Sequence, residues 1–68
     1  MNATTVAGVE EWLAAIRTAR HDDEVAHGME DALREAVLIA IAAGVPDAPA
    51  LARAALKTAD IDFARWCA

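Results

Sequence analysis

Along the chain, large apolar residues return at three- and four-residue steps, the spacing of one face of an α-helix, and no stretch alternates as a strand would. Val6, Val9, Leu13 and Ile16 form the first such run, with Trp12 at its flank. Thr5 is placed to cap this helix. Glu10 and Glu11 lie in its early turns and Arg17 and Arg20 in its last, the order that the helix dipole favours. Gly8 costs about 1 kcal/mol relative to alanine, which predicts a frayed first turn.

The second run is the most regular: Val25, Met29, Leu33, Val37 and Ile41 recur at i+4, with Ala26, Ala36 and Ala40 beside them. This spacing predicts a central helix with a buried spine along those five residues. Asp22 or Asp23 supplies its N-cap, and Gly44 followed by Val45-Pro46 supplies its stop. Leu38 and Ile39 widen the apolar arc, which predicts an end covered on more than one side. A third helix follows, capped by Asp47, with Pro49 tolerated in its first turn and Leu51, Ala52, Ala55 and Leu56 as its inner face. Asp60 is read as the cap of a short terminal turn anchored by Ile61, Phe63 and Trp66. The fold class expected is all-α: residues 1–68 as one domain, a small three-helix bundle with a short C-terminal helical turn.

Composition alters this picture in one respect. Nineteen of the 68 residues are alanine, so an apolar fraction of 57% overstates the bulk available for a core. Alanine-lined faces let helices approach closely and supply little volume, which predicts self-association, a homo-oligomer, or another partner that completes the core. Charge is polarised: residues 1–35 hold eight acids and three bases, and residues 36–68 hold three of each, giving the net −5. An acidic surface repels phosphate backbones and anionic lipid, so it argues against nucleic acid and membrane and for basic partners or cations. The longest apolar run, Ala36 to Ala43, is far short of a bilayer span. With a single cysteine, Cys67, and no basic, apolar leader, the expected location is the cytoplasm.

Polar chemistry concentrates between His21 and Asp31. On a helix, Asp23, His27 and Asp31 share a face, a carboxylate–imidazole–carboxylate row that could hold Zn²⁺ or Ni²⁺. The competing reading is an acid-rich helix start with His27 in solvent, and it is preferred here, so neither a metal nor another cofactor is expected. His21 or His27 beside carboxylates could move a proton. However, no glycine-rich phosphate loop or Gly-x-Ser-x-Gly elbow accompanies them, and Cys67 is poorly placed as a nucleophile, so no catalysis is expected. The glycine between the second and third helices resembles a helix-turn-helix, with Arg53 and Lys57 on the would-be recognition helix. Two bases on an acidic chain argue for an ordinary helical hairpin instead. Trp12 is read as core, and Trp66, beside Arg65, as either packing or interface.

The His21-Asp22-Asp23-Glu24 segment with His27 and Glu30-Asp31, the central Leu33 helix, and the ending Ile61-Asp62-Phe63-Ala64-Arg65-Trp66-Cys67-Ala68 together resemble small uncharacterised helical proteins of actinobacteria and their phages, mycobacteriophages above all. The resemblance implies no activity and carries over no site residue. It implies a small accessory protein of bacteriophage type that binds a host or phage protein in the host cytoplasm. The expected function is therefore protein–protein interaction, through an acidic face of Asp22, Asp23, Glu24, Glu30 and Asp31 or an apolar end with Phe63 and Trp66. A helix-turn-helix-like DNA-binding regulator and a metal-binding helical domain are the alternatives.

Overall fold

The computed structural model describes residues 1–65, so the expectations for Trp66 and Cys67 lie outside the described residues. Three helices form: α1 Val6–Ala19, α2 Asp23–Ala42 and α3 Ala48–Leu56, with a 3₁₀ turn at Lys57–Asp60. Each helix packs on the other two, which is the expected all-α bundle.

Helix α1 starts where Thr5, in extended conformation, accepts the Gly8 amide on its hydroxyl at 3.0 Å. Its first turn is not a frayed end. Gly8 is buried beneath the N-terminal residues, and a methyl group there would overlap the Asn2 carbonyl oxygen. The glycine serves close approach, while Asn2 Oδ1 holds the leading segment by accepting the Thr4 amide (2.8 Å) and hydroxyl (2.6 Å).

Helix α2 is capped by Asp22, whose carboxylate accepts the Val25 amide at 3.2 Å. At its far end Gly44, with φ of 85°, gives its amide to Ile41 O (3.0 Å) and Val45 gives its own to Ala40 O (3.1 Å). These two bonds make a Schellman stop, which needs the left-handed residue that glycine supplies. Asp47 does precede α3, with Pro49 in the first turn, but its carboxylate makes no cap hydrogen bond. Its φ of 59° is left-handed, and a capping side chain reaches the N2 and N3 amides from extended backbone instead.

The core differs from the expected spine. Ala26, Glu30, Leu33, Val37 and Ala40 are the buried positions of α2, whereas Val25 is 48% exposed. An i+4 step overshoots a full turn by roughly 40°, so five residues at that spacing wind around the helix. Alternating steps of four and three keep to one side. Against this seam pack Val9, Leu13 and Ile16 of α1, Leu51, Ala54 and Ala55 of α3, then Ala3, Ile61 and Phe63. Trp12, Met29 and Ile41 lie partly buried at its margin. Leu38 (65% exposed), Ile39 (62%) and Leu56 (64%) stay outside, contrary to the covered end and inner face expected of them. Beyond Leu56 the helical turn precedes Asp60 instead of following it, and Ile61 opens an extended segment, with φ −82° and ψ 122°. Among the described residues, no helix is long and apolar enough to cross a membrane.

Candidate functional site: a C-terminal clasp and an apolar cleft

Glu30 occupies a seam position where the periodicity calls for an apolar side chain, and it is 4% exposed. A buried carboxylate is costly unless it is paired and hydrogen-bonded. Here the extended C-terminal segment supplies the pair: Arg65 donates from Nε to Glu30 Oε1 and from Nη2 to Oε2, both at 2.9 Å. The guanidinium also donates to three carbonyls of its own segment, Thr58 O (2.8 Å), Ile61 O (3.0 Å) and Phe63 O (3.2 Å). It lies over the Phe63 ring, 3.9 Å from the centroid. Residues 58–65 thus curl around Arg65 into a clasp, which Ala64 N tethers to the start of α2 through Asp23 Oδ1 at 3.2 Å.

The electrostatics follow. The Arg65 fork holds the Glu30 carboxyl below its ordinary pKa against the opposing effect of burial, with help from the Thr58 hydroxyl and the charge of Arg34. Glu30 in turn raises the Arg65 guanidinium. Thr58, fully buried, accepts a 3.0 Å hydrogen bond from Arg34 Nη2 on its hydroxyl.

Arg34 also borders the second feature, a cleft of about 230 Å³ between α2 and α3, lined by Arg34, Val37, Leu38, Ile41, Ala52, Ala55 and Leu56. Its walls are apolar, and Leu38 and Leu56, both largely exposed, are part of them. The cleft exists because α3 faces α2 with alanines, which bring the helices together without filling the space beside them.

The structure divides the expected interface residues. Asp22, the cap of α2, and Glu24 and Asp31 within it are exposed, and Asp23 is half-buried under the clasp. Glu30 and Phe63 turn inward, so neither is available at the surface. The candidate metal row separates as well: His27 Nε2 lies 3.6 Å from Asp31 Oδ1, while Asp23 is engaged by the Ala64 amide. No group of three potential metal ligands occurs among the described residues. His21 is exposed. Of the two bases on the would-be recognition helix, Lys57 is held by Glu10 of α1 at 3.2 Å. Trp12 is packed against the core as expected, though its buried Nε1 finds no acceptor among the described residues.

Arg34, Thr58 and Arg65 were not singled out by sequence pattern. The available signal was Glu30 itself, an acid falling on the four–three seam of Ala26, Leu33, Val37 and Ala40. A cation had to meet it. Compared with known protein families, with curated proteins and with solved structures, the chain matches none.

Proposed function

We propose that this chain is a non-catalytic protein-interaction module that self-associates through the α2–α3 face. The observation that carries the reading is that projecting Leu38 and Leu56 border an apolar recess on the same face. A projection and a recess side by side are what a two-fold interface uses, since each copy offers both to the other. The occupant is a second copy of this chain.

Magnitudes set the strength. Fully burying a leucine contributes about 1.5–3 kcal/mol, so four leucines, each about two-thirds exposed, contribute roughly 4–8 kcal/mol in a dimer. Association costs on the order of 4–15 kcal/mol, so the complex is weak and concentration-dependent. The chemical side chains support a role without catalysis, because Glu30, Asp23 and Lys57 are committed to internal contacts.

The C-terminal string that resembles actinobacterial and phage proteins supports a cytoplasmic accessory protein. In that role the exposed Asp22, Glu24 and Asp31 are the surface left for a different, basic protein. Sedimentation equilibrium of the full chain up to millimolar concentration tests the reading. A monomer–dimer equilibrium is expected, abolished by Leu38→Glu or Leu56→Glu with helicity unchanged. A wild-type chain that stays monomeric throughout would overturn it.

A further inference from the structure

The clasp and the cleft share one residue, Thr58, and the way they share it links them. Its carbonyl accepts from Arg65 and its hydroxyl accepts from Arg34, so a single buried residue ties the guanidinium of the C-terminal segment to the guanidinium at the edge of the cleft. Glu30 has two cations within reach. Arg65 holds it now, and Arg34 stands four residues further along α2, the spacing at which a helical acid and base meet, with the acid on the favoured N-terminal side.

We infer that the C-terminal clasp is a switch that sets the state of the α2–α3 cleft through Arg34. In the closed state Arg65 occupies the Glu30 carboxylate and Thr58 keeps the Arg34 guanidinium at the cleft edge. When Arg65 withdraws, it takes with it the Thr58 carbonyl contact that seats the turn, and Glu30 is left buried without the fork that held both its oxygens. Arg34 then turns one helical turn back onto Glu30. The cleft loses its only cationic lining residue among the described residues, and the side chains beside it, Leu38 and Leu56, repack.

The exchange is a competition between two cations for one carboxylate, so neither state leaves the buried charge alone, which keeps the open state within reach of the closed one. That the switch acts on binding rests on the reading of the cleft as an interface. The switch itself does not.

Side-chain NMR on the full-length protein tests it. In Arg65→Ala, the methyl resonances of Leu38, Ile41 and Leu56 should move more than those of Leu13 and Ile16, and the Arg34 Nε–H signal should take up a protected, carboxylate-bound position. Thr58→Val keeps the carbonyl that Arg65 uses and deletes the hydroxyl that Arg34 uses. It should therefore release Arg34 from the cleft edge and move the cleft methyls, while the Arg65 Nε–H signal stays in place and Arg34 gains no carboxylate-bound signal.

Thermal unfolding supplies a second arm. Arg34→Gln alone should lower the midpoint slightly, whereas Arg34→Gln combined with Arg65→Ala should lower it by more than the two single shifts together. If Arg65→Ala does not fold, Arg65→Gln carries the same readouts, since it removes the cation that competes with Arg34 while keeping part of the side chain's bulk. Unmoved cleft methyls in a folded Arg65 variant, or additive shifts in the double variant, would overturn the switch. Loss of the wild-type dimer in sedimentation would overturn the interface reading and leave these measurements untouched.

Discussion

At the scale of single residues, the Glu30–Arg65 pair decides more than its two members suggest. The Glu30 side chain is 5% exposed and the Arg65 side chain 33%, so the two partners feel different surroundings. Removing Arg65 breaks that pair, and Arg65→Ala should cost up to about 3 kcal/mol, the lower end for a buried pair because the Arg65 side chain is partly in water and Arg34 can take up the carboxylate. Glu30 has a folded pKa below its ordinary value, so its contribution to stability is complete above the unfolded pKa of about 4.3 and is lost as pH falls through the folded one. Urea titrations at a series of pH values should show the wild type losing stability on acidification below about pH 4.5, and Glu30→Gln losing less over the same window. An identical slope in the two proteins would remove Glu30 as the source. Charge weighed alone places Glu30 on an acidic face; the four–three line of Ala26, Leu33, Val37 and Ala40 is a second inner line that the helix offers, and packing chose it.

At the scale of elements, caps and stops were legible and glycines were only half so. Thr5, Asp22 and Gly44 act where the pattern put them, because a cap is a local bargain between a side chain and amides three residues away. Gly8 and Gly28 look alike in sequence, each inside a helix, yet their surroundings are opposite. A methyl at Gly28 meets nothing within 4 Å, whereas at Gly8 it meets the Asn2 backbone. Gly28→Ala should therefore stabilise the chain by about 0.5–1 kcal/mol through helix propensity alone. Gly8→Ala should destabilise it, unseating residues 1–4 despite the same gain in propensity. Chemical denaturation of the two variants checks both signs, and the same sign for both would contradict the packing at Asn2. Asp47 shows the limit of local reading: its position as cap was legible, but its left-handed backbone was set by where α3 had to go after Pro46.

At the scale of the whole molecule, the chain exposes about as much surface as a folded monomer of its mass. Its accessible surface is 4184 Å² for 7.2 kDa, against roughly 4,100 Å² for a folded monomer of that mass. Total area thus shows no missing partner, and the argument for self-association rests on the leucines left outside. A 68-residue domain has only about 3–10 kcal/mol of stability to lose. Leu33, with no exposed surface, should cost about 2–5 kcal/mol on replacement by alanine, enough to unfold much of the population at room temperature. Leu38→Ala, one and a half turns further on, should cost under about 0.5 kcal/mol in dilute solution. Thermal melts of the two variants should separate widely; a comparable loss in both would mean that Leu38 is packed.

The sequence by itself determined the helices, their number, most of their ends and the all-α class, because those follow from contacts within a few residues: caps, propensity, a proline, a left-handed glycine. It left open which side of each helix faced inward. An i+4 rhythm of large residues winds around α2, and only the approach of α1, α3 and the C-terminal segment selected Ala26, Glu30, Leu33, Val37 and Ala40 as the inner line. That same selection put Arg65 on Glu30, thirty-five residues away in the chain, and left Leu38 and Leu56 beside a cleft. Burial and pairing at that separation depend on how helices meet in space, and no local pattern encodes them.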